Sequence, residues 1–379
     1  MCLDIIPDLG SLKRGEDGSF ISPGHLLRIG PATMALGGAV SNTGIACAKL
    51  GLETELMGCV GDDLLGETIQ AAFRAQHLPN LDFTQGMIVK PGEVSSYTIV
   101  VSPPKMDRCF LHCSGANDTF SPADLHPEMF AGARLMHFGY PTLMRGIYSD
   151  PKGFAAKLAE IRQLGVLVSM DVTMPDPQGP EGALDWRRWF EIVLPQVDIY
   201  LPSLEETLFM LNRPLFEEVS RRASRVVPGP GGSVNPAACM DFERIEDLAQ
   251  DLLNYGVELA GIKLGDMGLY LRSGESVARC TEFMEPEIAP QWRNCRELSP
   301  CFEVKVAGTT GSGDCTIAGF LTGLLAGWAP RPTLDFANAV GACNVQAPDA
   351  TSGVPDREEV LRRMQTWQRK RNVGKLFAE

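Results

Sequence analysis

The sequence predicts an α/β fold: a mostly parallel central sheet with helices on both faces, plus a small antiparallel β lid. Three observations carry this. Apolar strands alternate with amphipathic helical stretches from residue 134 to residue 272. Residues 86–113 switch to period two. A glycine-rich turn, GTTGSGD at 308–314, opens directly onto an apolar helix ending near Leu325. A chain of 379 residues, 44% hydrophobic and 21% charged, is long enough for a core of that size.

Residues 36–51, LGGAVSNTGIACAKLG, hold a glycine pair, a helix of small residues, and Gly51 just past its end. ETELMGCVG at 53–61 is a short strand with a glycine exit, and Asp62 or Asp63 starts a helix running to about Gln76. MIV, SSYTIVVS and RCFLHC alternate between polar turns as lid strands, and residues 12–30 are expected to add more. Strands at 134–139, 166–171 and 198–203 each lead into a helix, at 152–164, 186–194 and 204–212. A helix at 242–255 precedes strands at 261–265 and 268–272. In such sheets ligands bind at the carboxyl ends of the strands. Two stretches read as insertions: the Gly- and Pro-rich 226–240, a surface loop, and the polar 280–300, which is inert or covers a pocket.

A net charge of -13 and a pI near 5.0 argue against a nucleic-acid or anionic-membrane surface, but leave room for a small anion in a local pocket. The eleven cysteines include no C-x-x-C pair, the start MCLDIIPDLG has no basic region, and no apolar run approaches a membrane span. Together these point to the cytoplasm. Cys109, His112 and Cys113 alternate across both faces of a strand, which argues against zinc.

In 308–325, Gly308, Gly311 and Gly313 let successive N–H groups converge on one point. A helix starting there offers further free donors and the positive end of its dipole, so the turn suits an anion. Asp314 would repel that anion unless its task is to take a proton from a nucleophile attacking the phosphorus held there. A P-loop needs lysine where Asp314 stands, and a dinucleotide fingerprint needs glycine where Thr316 stands. The alternative is an Asp314 that only caps a buried helix.

Two separated signatures resemble the PfkB family carbohydrate kinases of the ribokinase-like superfamily. One is Gly308 to Phe320; the other comprises Gly37, Gly38, Asn42, Leu50, Gly51, Gly58, Gly61, Asp63 and Gly66. The resemblance implies one kinase domain over 1–379, with the lid drawn from about 12–35 and 86–118. It implies Asp314 as the base toward a sugar hydroxyl, with Gly311, Ser312 and Gly313 as the anion hole. Substrate contacts implied are Asp4, Gly37, Gly38 and Asn42. Arg108, with Arg145 and Asp171, is a candidate for sugar choice, since a guanidinium near the pocket would favour a sugar acid; the equal alternative for each is a surface ion-pair partner. Gly265, Gly268, Thr310 and Asn344 would serve ATP, and Glu206 would hold magnesium through waters. Alternatives are a strand-end acid for Asp4, a plain turn for Gly265 and Gly268, and a buried helical polar residue for Asn344.

Three departures from the family pattern stand out. Gly308 replaces an acid that often serves a monovalent cation, which counts against potassium activation. Ser203 replaces the asparagine of the N-x-x-E magnesium motif. Only three residues precede Asp4, where the family has a further strand. The implied activity is ATP- and magnesium-dependent phosphorylation of a sugar or sugar acid. The rivals are a nucleoside kinase, with Tyr97, Phe110 and Phe120 stacking on the base or simply packing the lid, and a non-catalytic sugar or nucleotide sensor. A hydroxymethylpyrimidine or pyridoxal kinase would generally lack the lid. Lids of this kind often pair two subunits and so hide their strand edges, which predicts a homodimer.

Overall fold

The computed structural model describes residues 1–12, 24–102, 109–225 and 235–370. The N-terminal part runs β1 (Cys2–Pro7), β2 (Ala32–Gly37), α1 (Ala39–Lys49), β3 (Thr54–Glu55), β4 (Gly58–Gly61), α2 (Leu64–Arg74), β5 (Leu81–Asp82), β6 (Met87–Lys90), β7 (Tyr97–Val101) and β8 (Cys109–Cys113). Asp63 caps α2 by accepting from the Gly66 N–H at 2.8 Å, which fixes where that helix starts. The lid is a four-stranded sheet ordered β2-β1-β7-β8, antiparallel at both outer pairs and parallel between β1 and β7.

The lid boundaries of 12–35 and 86–118 need correction. β1, before residue 12, is one of its two inner strands, and β6 lies outside it, paired in parallel with β4. The described residues 24–31 carry no strand, and 13–23 and 103–108 lie outside the described residues. Alternation marks a half-buried strand but does not name its partner, so β6 and β7 look alike in sequence.

The second part runs β9 (Leu135–Phe138), α3 (Arg145–Tyr148), α4 (Pro151–Gln163), β10 (Leu167–Met170), α5 (Trp186–Val193), β11 (Ile199–Tyr200), α6 (Leu204–Leu211), α7 (Arg213–Arg225), α8 (Phe242–Asn254), β12 (Leu259–Lys263), β13 (Leu269–Ser273), α9 (Ala278–Thr281), β14 (Arg296–Ser299), α10 (Ser312–Leu325), α11 (Pro330–Asn344) and α12 (Arg357–Thr366). Its sheet is ordered β14-β13-β12-β11-β10-β9, parallel from β9 to β12 and antiparallel at β13 and β14.

Successive residues of these strands serve opposite faces. Leu167, Ile199, Leu259 and Leu271 meet Phe320 and Leu324 of α10 on one side. Val168, Tyr200, Ala260 and Tyr270 meet Phe154, Trp189, Phe190 and Leu248 of α4, α5 and α8 on the other. Both faces are covered, so the parallel strands read as unbroken apolar runs.

Residues 280–300 prove to be part of this framework rather than a cover. They supply the edge strand β14 and a fully buried Trp292, whose ring meets Phe320 edge-on at 6.1 Å. A four-residue edge strand is too short to show a period. Part of the 226–240 segment, 226–234, lies outside the described residues; Pro236–Cys239 is a short 3-10 turn. All eleven cysteines are free, and among the described residues no helix is long and apolar enough to cross a membrane.

Candidate active site

The site forms where the turns after β9, β10 and β12 meet the N-termini of α1 and α10. Gly311 enters α10 with φ 70, a left-handed conformation, and no side chain caps that helix. A Cβ on Gly311 would fall 2.7 Å from both Cβ and O of Ala350, so glycine is required by conformation and by space. The Ser312 N–H turns back to the Thr309 carbonyl at 3.3 Å. Gly308 is equally crowded: a Cβ there would lie 2.9 Å from the Pro348 carbonyl.

Asp314, in the first turn of α10, is 2% exposed. Asn42 donates to its Oδ2 at 2.8 Å and the Tyr140 hydroxyl donates to its Oδ1 at 2.7 Å. Asn42 reaches it because the left-handed Gly38 starts α1 and α1 packs along α10. Tyr140 reaches it from the turn after β9, itself left-handed with φ 58, an uncommon conformation for a bulky residue. Burial pushes the Asp314 carboxyl above its ordinary range, and the charge of Asp171 adds to the push. Asn42, Lys263 and Tyr140 pull the other way.

Asp4, 7% exposed in the lid strand β1, is near enough to Asp314 for the two charges to interact. A Cβ on Gly37 would fall 2.3 Å from the Asp4 Oδ1, which explains the glycine. Burial raises Asp4 to about 6, hydrogen bonds from Thr98 and Cys2 oppose the rise, and the charge of Asp314 supports it. The structure therefore brings Asp4, Gly37, Gly38 and Asn42 together around Asp314.

Behind Asp314 lies a second group. Fully buried Asp171 has Oδ2 3.4 Å from the Lys263 Nζ and Oδ1 3.5 Å from the His137 Nε2. Glu206 and Ser203 form a capping box on α6: the Ser203 N–H donates to Glu206 Oε2 at 2.6 Å, and the Glu206 N–H donates to Ser203 Oγ at 3.3 Å. Burial raises Glu206 to about 7, against the pull of Lys263. Burial alone would lower the Lys263 ammonium, but Asp171, Glu206 and Asp314 outweigh it and hold the group above its ordinary value.

Among the described residues no group of three His, Cys, Asp or Glu could hold a metal by itself. Magnesium keeps several waters and takes one or two carboxylates beside substrate phosphates, and Glu206 fits that partial role.

The raised carboxyls have a measurable consequence. A folded-state value near 7 against 4.5 means that the native state binds extra protons between those limits, so stability from Glu206 is complete below about pH 4.5 and is lost as pH rises through 7. Glu206→Gln is expected to flatten the fall in Tm between pH 5.5 and 8, read by scanning calorimetry. An unchanged slope counts against the burial argument.

The remaining expected residues fall as follows. Gly265 (φ 56) and Gly268 (φ 121) form the β12–β13 turn, and a Cβ on Gly268 would lie 2.0 Å from the Ser299 carbonyl, so close packing alone demands that glycine. Thr310 is half-buried just before Gly311. Asn344 is fully buried. Its amide donates to the carbonyls of Ala350 at 2.5 Å and Asp349 at 3.5 Å, so it holds the loop against which Gly311 packs, while its Oδ1 is buried without a partner.

Arg108 lies outside the described residues. Arg145 is a surface residue paired with Asp118 at 3.2 Å. Phe120 belongs to the core, 6.3 Å from the Phe138 ring.

Sequence reasoning missed Tyr140, Lys263 and His137. Each had a signal: an aromatic ahead of a proline at a strand exit, and charged or titratable side chains at the end of, or inside, otherwise apolar strands.

The profile of the pfkB family carbohydrate kinases matches residues 12–357. The chain is 22% identical over 329 residues to the 5-dehydro-2-deoxygluconokinase of Bacillus subtilis (strain 168), covering 86% of this chain and 85% of that one. It is 23% identical over 340 residues to the 2-dehydro-3-deoxygluconokinase of the same organism, covering 89% of each. Among solved structures, a putative ribokinase II from E. coli in complex with ATP and Mg2+ superposes with a TM-score of 0.66 at 19% identity, covering 96% of both chains. The profile spans most of the chain and takes in both glycine-rich segments that build the site, so this protein belongs to the pfkB family of carbohydrate kinases.

Proposed function

We propose that this chain transfers the terminal phosphoryl group of ATP to a hydroxyl of a sugar or sugar acid, with Asp314 as general base. The observation that carries the proposal is the placement of one buried carboxylate in the first turn of an uncapped helix, oriented by a donor on each oxygen. Asn42 and Tyr140 fix the carboxylate so that a free lone pair can take the acceptor proton. The N–H groups of Gly311–Gly313 meet charge on the phosphoryl oxygens as it develops. Asp4, on the inner lid strand β1 beside Gly37, binds a second hydroxyl and sets the acceptor's orientation. Glu206 would hold magnesium through waters, and the ion would supply screening of the phosphate charge. The names of the two Bacillus relatives favour a sugar acid as acceptor.

The test is ADP release from ATP and magnesium across ketoses, aldoses, sugar acids and nucleosides. Turnover on a sugar or sugar acid supports the reading. Turnover on nucleosides alone moves it to a nucleoside kinase, and ligand binding with no turnover moves it to a sensor. The burial of Phe120 removes one of the three aromatics that a nucleoside base would use.

The lid adds a proposed partner, a second copy of this chain. Met34, Ile5, Ile99 and Leu111 form one apolar row across all four strands, with Met34 60% and Leu111 56% exposed. Light scattering at micromolar concentration is expected to give a dimer, and Leu111→Glu a monomer. A monomeric native chain would refute this.

A further inference from the structure

The proposed chemistry leaves one buried cation without a task. Lys263 ends β12, its N–H held by the Pro202 carbonyl at 2.9 Å, and its side chain is 13% exposed. A Cβ on Gly313 would lie 3.5 Å from its Nζ and 3.7 Å from Cδ and Cε. Because glycine stands there, no side chain separates the ammonium from the first turn of α10. Asp171, Glu206 and Asp314 all act on this one lysine, and among the described residues the salt bridges of these carboxylates involve only Lys263 and His137. A phosphoryl group entering at Gly311–Gly313 would thus meet surplus negative charge unless Lys263 faces it.

We propose that Lys263 is a catalytic residue that touches the transferred phosphoryl group through the opening at Gly313. This rests on the kinase reading above. As the acceptor oxygen bonds to phosphorus, the bond from phosphorus to the bridging oxygen breaks and its electron pair leaves on ADP. The acceptor proton passes to Asp314. Lys263 keeps its own proton throughout and neutralises the equatorial oxygens. A lysine that served only to balance Asp171 would need no open path to the helix terminus.

The test compares binding of AMP-PNP, which carries a γ-phosphoryl group, with binding of ADP, by calorimetry in magnesium buffer. Lys263→Met is expected to weaken AMP-PNP by about tenfold or more, the scale of one lost charged contact, while leaving ADP within about twofold. Lys263→Arg should recover part of the loss. Turnover of Lys263→Met should fall by about 10²–10³, as when one oxyanion donor is removed.

Equal effects on both nucleotides, or none, overturn the proposal and leave Lys263 as internal charge balance. If methionine unfolds the chain by stranding Asp171, the double variant Lys263→Met/Asp171→Asn removes both charges and is read the same way. Failure of the kinase reading looks different: the native chain would then release no ADP from ATP with any sugar or sugar acid, whatever the nucleotide binding of the lysine variants shows.

Discussion

Asp314→Asn is expected to lower kcat by about 10²–10⁴, the usual contribution of a positioned general base, with little change in the affinity for ATP. The substitution is close to isosteric. The new amide can turn its carbonyl toward Asn42 and its NH2 toward the Tyr140 hydroxyl, which accepts as readily as it donates.

The same variant should be more stable than the native chain near pH 8. A carboxyl whose folded-state value is raised by burial stabilises the fold only while protonated. That contribution is lost as pH rises through the folded value, and beyond it the native state holds an ionised group in a site that disfavours it. The gain in Tm over the native chain should shrink as pH falls toward the ordinary carboxylate range, where Asp314 is protonated in both states. A variant with lost turnover and lower Tm at every pH would mean that the carboxylate supports the fold rather than the chemistry. Retained turnover would remove Asp314 from the mechanism.

Much of the architecture was legible because its signals are local. The strands from β9 to β13 are apolar runs bounded by turns, and the helices between them keep their period whatever packs against them. Asp314 was legible from its place behind a glycine-rich turn that opens onto a helix, whereas Asn42 and the glycine pair were legible only through the resemblance of their segment to the PfkB family. The partners of β1 and β6 were not legible, because pairing is decided across more than twenty residues by which face finds cover.

The same distinction explains the site. Tyr140, His137, Asp171 and Lys263 come from three different strands or strand exits, and meet only once the sheet has formed. No spacing rule joins residue 137 to residue 263. What the sequence did show was each residue's local oddity, a polar group inside or at the end of an apolar strand. Asn344 is the converse case: a family-like position whose amide, once folded, serves the neighbouring loop.

Gly311→Ala should have the second largest effect, and its value lies in separating two demands made on one residue. At φ 70 a side chain costs about 1–2 kcal/mol from conformation alone. The Ala350 Cβ and carbonyl at 2.7 Å add an overpacking term of about 1–3 kcal/mol, relieved only by moving the turn. Moving the turn displaces the N–H groups that would hold the phosphoryl, so kcat should fall by about 10²–10³ together with stability. Gly327→Ala is the control. It lies past the other end of α10 with φ 72 and nothing within 4 Å of the added Cβ, so it carries the conformational cost without the clash. Calorimetric unfolding should show both variants destabilised and Gly311→Ala more so, with turnover lost only in Gly311→Ala. If both lose turnover in proportion to stability, rigidity of the whole helix governs the rate. If neither does, the donors that meet the phosphoryl lie elsewhere than the start of α10.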